Sequence, residues 1–289
     1  MKTRVITGGA LLCVLVPILV FSNQIIPIAA AIFCVGAMFE LLRVCGFHKS
    51  VALSAPLYLL AAFMPLSTYL LKDGFRLGNL SADISRLFLL YAALFLILLL
   101  YLFGVAVFYR NRRQFSDFSA LFMFGIYVLF GFTAVCILRY LDNGGAYYYL
   151  LIFIGAWITD TFAYFAGFFF GKHKLIPEIS PKKTVEGSIG GILGCTLSFV
   201  VWGLIVGAVS EFTVHYGFLV LTGIVVSVVS QIGDLIASLL KRQHGIKDFS
   251  HLFPGHGGIL DRFDSIIAVA STLLLLILFS AVFKMPILA

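Results

Sequence analysis

Long apolar runs separated by short polar segments set the pattern of this chain. Nine runs can be marked, each close to the roughly 20 residues that a helix needs to cross a bilayer core of about 30 Å. The predicted spans are 5–22, 24–43, 51–71, 86–109, 118–139, 147–171, 187–209, 213–240 and 263–284. Because backbone groups in lipid must pair within their own segment, these runs are predicted to be helices.

The composition agrees with a membrane protein. Of the 289 residues, 61% are hydrophobic and only 11% are charged, and a soluble domain of this length could not bury so much apolar surface. We therefore expect an all-α, polytopic integral membrane protein with about nine transmembrane helices.

The positive charges are distributed unevenly between alternate loops. If the N-terminus is cytoplasmic, only five of the 20 lysines and arginines fall outside: Lys72, Arg76, Arg86, Arg139 and Lys284. The positive-inside rule therefore predicts a cytoplasmic N-terminus and an external C-terminus. No organelle-targeting extension is visible, so a bacterial inner membrane is expected, with the active site facing the cytoplasm. No nucleic-acid motif accompanies the net charge of +7.

The two halves of the chain differ in polar content. Up to about Phe115 the spans contain a single acid, Glu40, whereas from Ala120 onward acids, glycines and aromatic residues enter the helices. We expect 1–115 to form a transmembrane scaffold or the surface of a homodimer, and 116–289 to form the catalytic transmembrane region.

Four aspartates are candidates for chemistry. Asp160 and Asp234 lie inside predicted spans, and Asp264 follows Asp261 by three residues, so the last two share a helix face. An ionised acid in the bilayer costs at least about 2.5 kcal/mol and needs a partner or a purpose. Carboxylates that converge suit Mg²⁺, a hard cation with oxygen ligands. Pairing of each acid with a nearby lysine or arginine is the open alternative.

A polar stripe continues along the eighth predicted helix. Steps of four and three residues place Asp234, Ser238 and Lys241 on one face, and Arg242 follows. An acid, a hydroxyl and a base in this order suit a phosphate whose metal lies deeper in the membrane. Proton or ion transport could use a similar stripe.

Two polar loops add candidates for anion binding. Lys182, Lys183 and Thr184 precede a helix whose N-terminus attracts anions. Glycines around His256, within 255–258, permit close approach of backbone N–H groups to an anion. Membrane anchoring by the lysines and simple chain turning by the glycines are the plainer interpretations.

The run from Ser238 to Asp264 resembles the signature of the phosphatidate cytidylyltransferases, also called CDP-diglyceride synthases. It contains Ser238, Lys241-Arg242, Lys247-Asp248, the segment Phe253-Pro254-Gly255-His256-Gly257-Gly258, and Asp261-Arg262-Phe263-Asp264. The segment from Ser180 to Gly187 is similar to a second motif of that family. The likeness covers roughly Asp160 to Asp264, and the first half matches only as a set of apolar spans.

This resemblance implies that the cytidylyl group of CTP is transferred to phosphatidic acid, giving CDP-diacylglycerol and pyrophosphate with Mg²⁺, while a second metal ion is left open. CTP, phosphatidic acid and membrane lipids are then the partners. The expected metal ligands are Asp160, Asp234, Asp261 and Asp264, and the expected catalytic residues are Asp234, Lys241, Asp261, Asp264 and His256. The expected substrate-binding residues are Lys182, Lys183, Thr184, Ser238, Arg242, Lys247 and Arg262.

Two other functions are compatible with parts of the pattern. An ion- or proton-coupled transporter would explain acids inside helices, but it has little need for the Lys, His and Gly residues between 241 and 262. A CTP-dependent polyprenol or phytol kinase would keep the nucleotide and change the acceptor.

Overall fold

A computed structural model describes residues 25–70, 82–109, 115–142, 144–283 and 287–288. The predicted span 5–22 lies outside these residues, as do Lys72, Arg76 and Lys284 of the topology argument. Within the described part of the chain, eight helices are long and apolar enough to cross a membrane. The all-α, polytopic membrane fold is therefore confirmed.

The helices follow the predicted spans to within a few residues. They are α1 (Ile25–Val44), α2 (Val51–Leu70), α3 (Ala82–Phe108), α4 (Phe115–Tyr140), α5 (Gly145–Phe153), α6 (Thr159–Phe170), α7 (Val185–Val209), α8 (Tyr216–Gln243) and α9 (Leu260–Val282). A turn of π-helix at Ile154–Ile158 joins α5 and α6 into one span.

The segment between α6 and α7 forms a two-stranded antiparallel ribbon, which the hydrophobic pattern did not predict. Its strands are β1 (Lys174–Ile176) and β2 (Ser180–Thr184). Thr184 ends β2 and caps α7, because its side-chain oxygen accepts a hydrogen bond from Gly187 N at 3.1 Å. The ribbon therefore places Lys182 and Lys183 of β2 directly before the start of a membrane helix.

The described residues fall into two compact units. We call the first the loop unit; it contains 25–70, 82–109, 115–137 and 246–262. We call the second the ribbon unit; it contains 138–142, 144–245, 263–283 and 287–288. The functional division into a scaffold, 1–115, and a catalytic region, 116–289, stays a prediction.

Close backbone approach joins α6 and α7 in the ribbon unit. A Cβ atom on Gly190 would lie 2.2 Å from the Cβ of Ala166, and one on Gly187 would lie 2.7 Å from the carbonyl oxygen of Ala163. Helices in lipid associate through such van der Waals contacts, because lipid tails supply little hydrophobic driving force. Larger residues at these two positions would separate the helices.

Two hydrogen bonds tie α8 to this pair. Thr159 Oγ1 on α6 donates to Ser227 Oγ on α8 at 3.0 Å. Gln231 Nε2 on α8 donates to the carbonyl oxygen of Ser188 on α7 at 3.3 Å. The three helices form the frame of the polar interior described next.

Candidate active site

A cavity of about 470 Å³ opens in the ribbon unit and is bordered by α6, the ribbon, α7 and α8. The side chains of Tyr164 and Phe168 give it an aromatic wall. Its polar lining includes Asp160, Lys174, Lys182, Lys183, Thr184 and Gln231. The cavity thus combines cations with an apolar surface.

The π-helical turn sets the position of Asp160. It ends at Ile158, directly before Thr159 and Asp160, and a π turn rotates the residues that follow away from ordinary α-helical register. Thr159 is buried and bonded to Ser227, whereas Asp160 is exposed and lines the cavity. Asp160 therefore contributes a carboxylate to the cavity from a helix that is otherwise rich in aromatic residues.

Lys183 and Asp234 form an ion pair. Lys183 comes from β2 and Asp234 from the middle of α8, and their side chains are only 25% and 28% exposed. The pair offsets the cost of placing a carboxylate inside a membrane span. It also brings a residue of the ribbon motif together with a residue of the α8 stripe, which their separation in the sequence does not reveal.

Asp264 is the most deeply buried acid of the ribbon unit's candidate residues. It is 9% exposed, and its Oδ1 accepts a hydrogen bond from Ser265 N at 2.7 Å. The charges of Asp234, Lys241 and Asp160 all act on it. Carboxylates of α6, α8 and α9 therefore share one electrostatic environment.

The stripe on α8 faces protein along most of its length. Ser238 and Lys241 are 9% and 8% exposed, whereas Arg242 is exposed and its Nε lies 3.5 Å from the carbonyl oxygen of Ile179. A buried lysine near buried acids is held by their opposite charge. Lys241 thus lies in the protein interior within electrostatic range of Asp264, whereas Arg242 lies at an exposed position.

The donor set of the ribbon unit fits Mg²⁺ bound together with a phosphate. In the described ranges, no three or more His, Cys, Asp or Glu side chains are gathered as a ready metal cage. Mg²⁺ is commonly held by one or two carboxylates plus substrate phosphates, and Asp234 and Asp264 lie within electrostatic range of each other. The metal roles of these residues stay a prediction.

A second cavity, of about 440 Å³, lies in the loop unit. Lys247, His256 and Arg262, which were predicted to act on substrate, line it together with Asp248, His251, Gly255 and Gly257. Its lining is polar and rich in cationic and imidazole groups, a composition that suits the oxygens of a phosphate chain.

Backbone turns shape this loop. Gly255 and Gly257 have φ angles of 78° and 83°, in the left-handed region that favours glycine. Phe253 N donates to Gly257 O at 2.9 Å, and Gly257 N donates back to Phe253 O at 3.1 Å. The expectation that glycine N–H groups here approach an anion is wrong for Gly257 and Gly258, because both donate to acceptors within the protein. Anion contacts in the loop must come largely from side chains.

Asp261 folds the loop as well as belonging to the predicted site. Its Oδ2 accepts hydrogen bonds from Phe249 N at 2.7 Å and from Gly258 N at 2.9 Å. Its metal-binding role stays a prediction, and one of its carboxylate oxygens is already engaged by the backbone.

Glu40 is bonded to this loop and was not among the residues that the resemblance included. It lies on α1, is 2% exposed, and accepts hydrogen bonds from Ser250 Oγ, Ile259 N and Leu260 N. The available signal was its position as the single acid inside the spans before Phe115, since an acid there needs partners.

The fold and these two cavities define a polytopic membrane protein with two cation-lined cavities and with a deeply buried acid, Asp264, in the ribbon unit. The sequence model of the cytidylyltransferase family matches residues 2–280, and the chain belongs to that family. It is 38% identical over 284 residues to the phosphatidate cytidylyltransferase of Bacillus subtilis (strain 168), covering 97% of this chain and 99% of the relative. It is 34% identical over 278 residues to that of Staphylococcus haemolyticus (strain JCSC1435), covering 96% and 99%.

Proposed function

We propose that the protein is an integral membrane nucleotidyltransferase that joins CTP and phosphatidic acid to give CDP-diacylglycerol and pyrophosphate. The likeness to relatives named phosphatidate cytidylyltransferase over nearly the whole chain is the observation that carries this proposal. The cation-lined cavities and buried carboxylates supply the chemistry that such a reaction needs.

The reaction is a displacement at phosphorus. A phosphate oxygen of phosphatidic acid attacks the α-phosphorus of CTP, the bond from that phosphorus to the oxygen bridging to the β-phosphate breaks, and pyrophosphate leaves. Phosphatidic acid arrives with its phosphate ionised, so the protein need not remove a proton. Its task is to position two anionic substrates and offset their charge.

The cavity of the ribbon unit suits the lipid substrate. Lys182 and Lys183 supply cations for the lipid phosphate, while Tyr164 and Phe168 offer an apolar wall for the glycerol backbone and the start of the acyl chains. A lipid can approach such a site sideways from its leaflet. We therefore assign the phosphatidic acid headgroup to this cavity.

The cavity of the loop unit suits the nucleotide. Arg262 can bind phosphate oxygens through two N–H groups at once, and Lys247 adds a compact charge. His256 can donate a hydrogen bond to the same phosphate chain. We assign the triphosphate of CTP to these side chains.

Mg²⁺ dependence is part of this proposal, with Asp234 and Asp264 as its ligands in the ribbon unit, and with Asp160 and Asp261 as the further candidates. When bound, Mg²⁺ would neutralise charge on the phosphate oxygens during the displacement. The proposal also includes a bacterial inner membrane, an active site that faces the cytoplasm, and CTP entry from that side. A second metal ion and a homodimer stay predictions.

Product analysis tests the proposed reaction. The purified protein, in micelles containing phosphatidic acid, is given Mg²⁺ and CTP labelled at its α-phosphate, and labelled CDP-diacylglycerol is expected. Parallel reactions replace phosphatidic acid with a polyprenol or phytol and use CTP labelled at its γ-phosphate. A folded protein that makes no CDP-diacylglycerol, or that phosphorylates the alcohols instead, would contradict the proposal.

A further inference from the structure

We propose that Glu40 is a positioning residue for nucleotide binding, acting through the loop that carries the cationic side chains. This inference rests on the proposed function for its kinetic consequence and on the hydrogen bonds of one carboxylate for its structural part. Glu40 does not line the cavity of the loop unit, so it is expected to act through the residues that it holds.

One carboxylate holds both ends of a loop segment. Glu40 Oε1 accepts a hydrogen bond from Ser250 Oγ at 2.5 Å and another from Ile259 N at 2.9 Å. Its Oε2 accepts from Leu260 N at 2.8 Å. The segment 250–259 is therefore bonded to Glu40 at both of its ends. His251 and His256, which line the cavity, lie within that closed segment.

The position of Glu40 at the start of α9 favours a negatively charged side chain. Leu260 is the first residue of α9, where the unpaired N–H groups of a helix favour an anionic acceptor. Burying a carboxylate at 2% exposure is costly unless its oxygens are bonded, and three donors satisfy it here. A neutral amide would place N–H groups against N–H groups at one of these contacts.

Close packing leaves the loop little freedom to shift around Glu40. A Cβ atom on Gly258 would lie 2.2 Å from Glu40 Oε1, and one on Gly36 would lie 2.3 Å from Ile259 Cδ1. Gly36 and Glu40 are one turn apart on α1 and so present the same face. Gly258 N is bonded to Asp261, and two acids therefore fix three successive backbone N–H groups.

The substitution Glu40→Gln tests this role at nearly constant volume. Hydrogen exchange of the Ile259 and Leu260 amides is expected to become at least about ten-fold faster, because bonds to a buried charged acceptor are lost. With turnover measured as above, KM for CTP is expected to rise about ten-fold, while KM for phosphatidic acid changes little. A general loss of folding would instead lower kcat without this separation of the two KM values.

Two further variants complete the test. Glu211→Gln makes the same chemical change at an exposed acid between α7 and α8, and it should leave both the exchange rates and KM unchanged. Ser250→Ala removes one donor and leaves the carboxylate, so it should give a smaller shift in the same direction and covers the case in which Glu40→Gln fails to fold.

The outcomes separate the inference from the proposed function. Unchanged exchange of the Ile259 and Leu260 amides in Glu40→Gln and in Ser250→Ala would show that Glu40 does not anchor the loop, whatever reaction the protein performs. Faster exchange with an unchanged KM for CTP would overturn the positioning role. A wild-type protein that folds but makes no CDP-diacylglycerol would contradict the proposed function and, with it, the kinetic part of the inference, while the exchange measurement would still decide the anchoring.

Discussion

The ribbon unit and the loop unit place polar chemistry in a membrane protein by different means. In the ribbon unit, charged side chains from the helices and the ribbon offset one another, as Lys183 of β2 and Asp234 of α8 do in their ion pair. In the loop unit, the chain leaves helical structure, and carboxylates bond directly to the backbone, as Glu40 and Asp261 do. Pairing of opposite charges stabilises the polar residues of the ribbon unit, and hydrogen bonds from backbone N–H groups to carboxylates stabilise the loop unit.

This difference predicts different responses to substitution. A carboxylate that serves mainly through its charge should be sensitive to neutralisation even where its shape is kept. A carboxylate that accepts through a single oxygen, as Asp261 does, should tolerate an amide better, because that oxygen can remain. Substitutions at matched positions in the two units can test whether this distinction holds.

The largest effect is expected for Asp264→Asn in the ribbon unit. The amide retains an acceptor for Ser265 N but removes a carboxylate oxygen from the predicted metal ligands, so kcat should fall by on the order of 100- to 1000-fold. CDP-diacylglycerol formation under saturating substrates measures the effect. Asp142→Asn, in the exposed turn after α4, is the control and should keep full activity. Activity within three-fold of wild type for Asp264→Asn would contradict its roles as a metal ligand and catalytic residue.

Asp261→Asn in the loop unit sharpens the comparison. If Asp261 binds metal as predicted, turnover should fall about 100-fold while membrane insertion is kept. If it only orders the loop, the remaining oxygen can still accept from Phe249 N and Gly258 N, and most activity should survive. Turnover and the exchange rate of the Gly258 amide, measured on the same preparation, distinguish the two roles.

Lys183→Gln tests whether the cation that pairs with Asp234 also binds the lipid phosphate. Loss of the cation should raise KM for phosphatidic acid about ten-fold, because a charge-assisted contact to the lipid phosphate is removed. KM for CTP should change less. Lys49→Gln, at an exposed position between α1 and α2, is the matched control. A selective rise in KM for CTP would reverse the assignment of the two substrates.

The smallest effect is expected for Thr184→Ala at the start of α7. Loss of the side-chain bond to Gly187 N should lower the free energy of unfolding by about 1 kcal/mol. Thr184→Ser keeps the oxygen and should retain most of that stability. Thermal unfolding in detergent measures both variants. Equal stability of the alanine variant and the wild type would show that the cap contributes little.

The sequence predicted the membrane helices well because lipid imposes a simple rule. A span must be apolar for about 20 residues and must satisfy its own backbone, so helix positions follow from composition alone. The buried face of Ser238 and Lys241 also followed from spacing. The ribbon was missed, since its strands are short and polar and lack an alternating pattern.

Long-range pairing could not be derived from spacing. The electrostatic interaction of Asp160 with Asp264 arises from helix packing, which leaves no mark in the hydrophobic pattern. Glu40 bonds to residues 210 to 220 positions away. Its burial cost indicated that a partner must exist, but many donors could have met that need. The glycine N–H groups of the loop were misjudged because their internal acceptors become visible only in the folded chain.

Binding of Mn²⁺, a spectroscopic probe for Mg²⁺, tests most directly whether the carboxylates of the ribbon unit form a metal centre. Electron paramagnetic resonance would follow Mn²⁺ titrated into the full-length protein with CTP present, and would compare wild type with Asp264→Asn and Asp142→Asn. The account predicts binding to the wild type and to Asp142→Asn, and at least ten-fold weaker binding to Asp264→Asn. Equal Mn²⁺ affinity in all three proteins would contradict it.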